Sequence, residues 1–308
     1  MSVIEITNLR KEYGDKVAVD DVSLSVDQGE IFGILGRNGA GKTTTVELLA
    51  GLRHRDGGSV RVLGHDPQTD THAVRMKVGI QLQESELADK IRVHEALTMW
   101  TSFYPDPADP EELLRLLDLT DKRNTPFKKL SGGQKQRLSI ALALIGRPEV
   151  AILDELTTGL DPQARRDTWS LIESIRDTGV TIVLVTHFME EAERLCDRLA
   201  IIEQGRIIAE DTPAGLVSQV DAGQRLRFRT EKPLDDSLLD HLPEVTSIEH
   251  TKSQVIVAGT GNLLQAVSAE LARHDITALD LRVEQTNLED AFVALTGRGL
   301  HAGVGEAS

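Results

Sequence analysis

IFGILGRNGAGKTTTVELLAGL, residues 31–52, decides how the rest of the chain is read. The run IFGIL (31–35) is apolar at every position, as a strand covered on both faces would be. TTTVELLAG (43–51) carries a helical pattern. Between them GRNGAGKT, Gly36 to Thr43, fits G-x-x-x-x-G-K-[ST]. Such glycines let successive backbone N–H groups curl around phosphate oxygens, and the helix that starts there adds its positive end. Gly36, Arg37, Asn38, Gly39, Ala40, Gly41 and Thr44 are then the cradle. Lys42 reaches the β- and γ-phosphates and the Thr43 hydroxyl holds Mg²⁺. The expected ligand is a nucleoside triphosphate.

Working outward, VAILD (150–154), TIVLVTH (181–187) and RLAII (198–202) repeat the buried-strand pattern. Helical stretches separate them. DPEELLRLLDL (109–119) and DPQARRDTWSLIESIRDTG (161–179) each open on Asp-Pro, and SGGQKQRLSIALALIGRP (131–148) opens on a capping box of Ser131 and Gln134. Strand–helix alternation predicts an α/β domain with a parallel core sheet, of the P-loop NTPase kind. VIEITNLRKEYGDKVAVDDVSLSVDQGEI (3–31) alternates apolar and polar residues between turn signals and predicts an antiparallel β subdomain. Past residue 212 the character changes. RLRFRT, SIEH, QVIVAG and ITALDLRV read as strands around the helix NLLQAVSAELARHD, and NLEDAFVALTG reads as a last helix. The expected division is 1–215 for the nucleotide-binding domain, 216–297 for a small α+β domain and 298–308 for a flexible tail.

Bulk composition narrows the function. Lys and Arg number 34 against 49 Asp and Glu, a net charge of −15. A chain this acidic repels phosphate backbones as a whole, so nucleic acid is not an expected partner. The one cysteine, Cys196, excludes an intramolecular disulfide and suits a reducing compartment. The N-terminus has no signal-peptide core, and no apolar run approaches the length of a membrane span. Any membrane passage must therefore belong to a partner.

Binding a triphosphate is not hydrolysing it. Hydrolysis needs a metal carboxylate and a base, and VAILDE (150–155) ends on two adjacent acids. Side chains alternate along a strand, so the two take different roles. Asp154 suits the Mg²⁺ shell and Glu155 suits polarising the attacking water. LSGGQKQR (130–137) supplies a second helix start with free N–H groups and a hydroxyl.

GRNGAGKT, LSGGQKQR, VAILDE, TTGLD (157–161) and TH (186–187), in that order, resemble the nucleotide-binding subunit of ATP-binding-cassette transporters over roughly residues 1–215. The resemblance implies ATP with Mg²⁺ as the ligand, and a helical subdomain over about residues 84–147. Gln83, in GIQLQE, falls at the family's Q-loop glutamine, which also attends the metal. Tyr13 falls where the family stacks an aromatic on adenine, His187 at the switch histidine and Asp161 at the D-loop aspartate. Two subunits are implied to face each other head to tail, so that Ser131, Gly133 and Gln134 of one cover the phosphates on Gly36–Thr44 of the other. The pair is a homodimer or a heterodimer. Leu156 departs from the family, which commonly has proline after the catalytic glutamate.

The resemblance further implies separate integral-membrane permease subunits and a peripheral place on the cytoplasmic face of the cell membrane. ESELADKIRVHEALTMWTSFY (84–104) reads as a helix bearing Leu97, Trp100, Phe103 and Tyr104. It is either a docking groove for a permease helix or the subdomain's core. NLEDAFVALTGR resembles the C-terminal end of subunits of the daunorubicin-resistance-like export group, which implies export of a drug, lipid or polysaccharide-like substrate. The small domain there regulates, dimerises or merely stabilises. The competing class is a non-transport cassette ATPase acting on nucleic acid or ribosomes. Such proteins usually carry two cassettes, a coiled coil or zinc sites, none of which is evident here.

Overall fold

The computed structural model describes residues 1–82, 87–220, 223–231, 234–251, 254–284 and 287–297. Gln83 and the tail 298–308 lie outside the described residues. The chain divides into two compact units, Met1–Pro213 and a second that begins at Ala214.

In the first unit, β1 (Ser2–Tyr13) and β2 (Lys16–Asp27) form a hairpin, and β3 (Ile31–Leu35) leads to helix α1 (Lys42–Leu49). β4 (Gly57–Val62), α2 (Thr71–Lys77) and β5 (Val78–Gln81) follow, then α3 (Val93–Thr101), α4 (Pro110–Leu116) and α5 (Gly132–Leu144). β6 (Val150–Asp154), α6 (Pro162–Asp177), β7 (Thr181–Thr186), α7 (Met189–Leu195), β8 (Arg198–Glu203) and β9 (Arg206–Asp211) close the unit, and α8 (Pro213–Gln219) spans the division.

Six strands make one sheet in the order β5-β6-β7-β3-β8-β9, parallel except for the last pair. β3, β6 and β7 are buried along their whole length, as their unbroken apolar runs require. The antiparallel sheet β2-β1-β4 contributes Ile4, Leu9, Val22, Val26 and Val60 to the same apolar core as Phe32, Ile34, Ile152 and Val185. The expected α/β architecture with an N-terminal antiparallel sheet is therefore present.

The aromatic segment differs from expectation. The structure starts α3 at Val93, and residues 87–92 before it are not helical; residues 84–86 of the expected helix lie outside the described residues. Residues 91 and 92 are taken up by pairing with 126 and 127: Phe127 N–H donates to the Ile91 carbonyl and Arg92 bridges Pro126. The Glu95 carboxylate then accepts the Arg92 N–H at 2.8 Å and closes the helix start. The helix ends where the Thr101 and Ser102 hydroxyls donate back to the Thr98 and Met99 carbonyls. Leu97 is core and Trp100 half-buried, whereas Phe103 is 62% exposed and its ring meets Trp100 edge-on at 6.1 Å.

The second unit is a sheet of β10 (Gln224–Arg229), β11 (Val245–Thr251), β12 (Gln254–Gly259) and β13 (Leu279–Glu284) in the order β11-β12-β10-β13, all antiparallel, with helices α9 (Leu263–Arg273) and α10 (Leu288–Thr296). Leu226, Phe228 and Val257 on the sheet share a core with Leu263, Val267 and Leu271 of α9.

Candidate active site

Three neighbouring parallel strands, β6, β7 and β3, end at one edge of the central sheet, where open α/β sheets bind ligands. Each hands over one part of the site. After β3 comes the loop 36–41 and α1. After β6 comes Glu155, whose N–H donates to the Val185 carbonyl of β7 at 2.9 Å. After β7 comes His187.

Backbone packing explains the glycines. A side chain at Gly36 would run into the Ile202 carbonyl, and one at Gly41, where φ is +108°, into the Ala18 carbonyl. The loop thus wraps tightly enough for Lys42 to fold back into it. Lys42 is 4% exposed, and its Nζ donates to the Gly36 carbonyl at 2.8 Å and the Arg37 carbonyl at 3.1 Å. It lies 3.7 Å from Glu155 Oε1. Burial lowers its pKa, and the charges of Glu155 and Asp154 resist that. A cleft of about 410 Å³ opens on the loop, lined by Asn38, Gly39, Gly41, Lys42, Thr43 and Thr44, with Tyr13, Lys16, Ala18 and Glu155 around it. Gly36, Arg37 and Ala40 shape the turn beneath: Ala40 N–H donates to the Arg37 carbonyl, and Gly205 N–H to that of Ala40.

The two acids are treated differently, as their strand positions require. Asp154 is fully buried, and among the described residues neither of its carboxylate oxygens has a hydrogen-bonded partner. Burial and the neighbouring Glu155 charge push its pKa up to about 6, against the pull of the Thr43 hydroxyl and Lys42. Two orphaned anionic oxygens beside a threonine hydroxyl are the donor set a hard divalent cation takes, so the residues present fit Mg²⁺. Gln81, at the end of β5, accepts the Asp154 N–H at 3.1 Å and so fixes where that carboxylate stands. Glu155 has φ +51°, a strained conformation for a side-chain-bearing residue. His187 Nδ1 stands 3.2 Å from Glu155 Oε1, without the alignment of a full hydrogen bond. Its influence, with that of Lys42, holds the Glu155 carboxyl below the usual range despite burial.

Tyr13 is 42% exposed at the rim, with Lys11 and Arg53 above its ring at 5.3 and 5.7 Å. Ser131, Gly133, Gln134 and Asp161 do not line this cleft. Ser131 Oγ accepts the Gln134 N–H at 3.3 Å while Gln134 Oε1 accepts the Ser131 N–H at 3.0 Å, the reciprocal cap expected for α5. Asp161 Oδ1 accepts from Gln163 and Ala164 N–H, both at 3.0 Å, and caps α6. These two starts adjoin, since a Cβ on Gly133 would sit 3.5 Å from that of Ala164. Sequence reasoning missed Gln81, whose only signal was an amide inside the apolar run VGIQL. It also missed Lys16 and Ala18, which carry no signal at all.

A phosphate loop on a central strand, acids at the end of a nearby strand and a histidine between them define a P-loop nucleoside triphosphatase. The order of its parts is that of an ATP-binding cassette. Comparison with known proteins agrees: residues 19–158 match the ABC transporter family. The chain is 35% identical over 310 residues to the linearmycin resistance ATP-binding protein LnrL of Bacillus subtilis (strain 168), covering 97% of this chain and 99% of that protein. It is 36% identical over 302 residues to the Nod factor export ATP-binding protein I of Ralstonia nicotianae, covering 96% and 94%. A solved ATP-binding subunit of an ABC transporter superposes with a TM-score of 0.64 at 28% identity, over 70% of this chain and 92% of that one. The chain belongs to the ATP-binding proteins of ABC transporters and is an ATPase. No described helix is long and apolar enough to cross a membrane.

Proposed function

We propose that this chain hydrolyses Mg·ATP as one half of a paired engine that drives export through a separate membrane permease. The cluster of Lys42, Glu155 and His187 around the unpartnered Asp154 carboxylate carries the reading. The N–H groups of residues 36–44 and Lys42 bind the β- and γ-phosphates. Lys42 gives up its carbonyl partners for phosphate oxygens. Thr43, Asp154 and Gln83 hold the cation, which when bound neutralises phosphate charge. Glu155 orients and polarises the attacking water, and His187 keeps the Glu155 carboxylate ionised and aimed. Tyr13 stacks on the adenine.

The cleft is open above the loop, and a second ATP-binding subunit closes it with Ser131, Gly133, Gln134 and Asp161. That subunit is another copy of this chain or a sister chain. An isologous pair gives two equivalent sites from one set of motifs. The permease docks on the face of the helical segment where Met99 and Phe103 stand exposed. This places the chain on the inner membrane surface as a peripheral subunit. Relatives named for linearmycin resistance and for Nod factor export support an exported drug-like, lipid or polysaccharide-like cargo.

The test is a Glu155→Gln chain in Mg·ATP, followed by light scattering and phosphate release. A stable ATP-dependent pair without turnover supports the reading. A permanently monomeric chain, with no sister subunit joining it from the native membrane, sinks it.

A further inference from the structure

Behind the His187 turn lies a buried acid that the hydrolytic cluster does not use. Glu191, in α7, is completely buried. Its Oε1 accepts the indole N–H of Trp169, in α6, at 3.0 Å. Among the described residues its Oε2 has no hydrogen-bonded partner, and neither has the buried Thr157 hydroxyl. Burial raises the Glu191 pKa, while Thr186, Trp169 and Thr157 pull it down. A buried acid with an unmet oxygen costs stability that a leucine there would not. Satisfying one indole does not account for it.

We propose that Glu191 is a positioning residue for hydrolysis: its carboxyl group ties the turn that carries His187 to the loop and helix that begin at Thr157 and Asp161. This rests on the reading above that Glu155 and His187 act in hydrolysis.

The placement carries the argument. α6 starts at its Asp161 cap, on the surface assigned to the second subunit. One turn further on, the Arg165 guanidinium lies 4.6 Å over the Phe188 ring, and that ring is 4.1 Å from the His187 ring. A turn beyond that, Trp169 holds Glu191. The helix is thus joined to the His187 turn at two points spaced one turn apart on both sides. Thr157, whose hydroxyl influences the Glu191 carboxyl group, lies midway along the loop from Glu155 to Asp161. A bond between Thr157 and Glu191 Oε2 would satisfy both orphaned atoms at once. Engagement of Asp161 is thereby transmitted to the His187–Glu155 contact.

The full-length chain tests this by steady-state phosphate release against ATP concentration. Trp169→Phe and Glu191→Leu should each lower kcat roughly tenfold or more with KM for ATP nearly unchanged, as misplaced but intact catalytic groups do. Glu191→Gln should restore at least about half of the turnover, because its carbonyl accepts from the indole and its amide donates to Thr157. Wild-type kcat in Trp169→Phe and Glu191→Leu, with only a lower melting temperature, would overturn the proposal. Glu191→Gln as slow as Glu191→Leu would do the same. If Glu191→Leu does not fold, Trp169→Phe and Glu191→Gln carry the test. Glu155→Gln run alongside separates the layers: if it turns over like wild type, the hydrolytic reading itself fails. If it is silent while the Trp169 and Glu191 variants are normal, only this inference fails.

Discussion

The loop at Gly36–Thr44 and the turn at Ser131–Gln134 are both helix starts that offer backbone N–H groups to an anion, yet they are finished in opposite ways. At the first, the lysine is buried, the glycines are pressed against the Ile202 and Ala18 carbonyls, and two acids and a histidine stand at neighbouring strand ends. At the second, Ser131 and Gln134 satisfy one another at the surface, where Ser131 is exposed, and the nearby Asp161 is occupied in capping its own helix. Charge is concentrated where water is excluded, so interactions there are strong. Neutral donors are left at the surface, where they gain only when something covers them. On the proposed mechanism the first region binds and cuts, and the second decides when.

That contrast can be broken most decisively at Glu155. Glu155→Gln should cut phosphate release by roughly 10²–10⁴-fold, the contribution of a well-placed base, while leaving ATP-driven pairing intact. A wild-type rate would remove Glu155 from the chemistry.

Next in size is the strain of the buried acid. Asp154 titrates at about 6 rather than 3.8. The folded chain therefore holds this proton more tightly than the unfolded one. Its contribution to stability is full below the ordinary carboxylate pKa and is lost as pH rises to about 6 and beyond. The difference corresponds to roughly 3 kcal/mol. Nucleotide-free Asp154→Asn should then melt above wild type at about pH 7, with the gain fading towards about pH 4. A pH-independent difference in melting temperature would show that the carboxylate is not penalised.

Lys42→Ala removes charged hydrogen bonds worth about 1.5–3 kcal/mol, so ATP affinity by calorimetry should fall roughly tenfold to a hundredfold. An unchanged dissociation constant would put the phosphates elsewhere.

The smallest effect separates the regions best. A methyl at Gly133 meets Ala164 at ordinary contact distance, and alanine in a helix is favoured over glycine by about 0.5–1 kcal/mol. Gly133→Ala should therefore melt no lower than wild type, yet turn over more slowly if, as proposed, this helix start covers the phosphates of a second subunit. Gly41→Ala should lower the melting temperature, its φ of +108° and the Ala18 carbonyl forbidding the side chain. Equal melting temperatures for the two would erase the distinction between the two regions.

Much of this was legible beforehand because it is local. Strand runs, Asp-Pro helix starts and the Ser131–Gln134 box depend on residues within one turn of each other. The α3 start is not legible for the opposite reason: residues 91 and 92 are held by 126 and 127, a pairing that spacing along 84–104 does not reveal. Gln81 escaped notice because its role is to hold a backbone N–H 73 residues away.

By itself, then, the sequence determined the phosphate loop, the adjacent acids and the capped helix starts, since each is made by neighbours along the chain. Only the tertiary structure decided that Glu155 meets both Lys42 and His187, that the Asp154 carboxylate lacks a hydrogen-bonded partner among the described residues and is pushed up to a pKa of about 6, and that Glu191 lies between two turns. The physical reason is that protonation and approach are set by what surrounds a group in a water-poor interior. Those surroundings come from strand order, which joins segments more than a hundred residues apart.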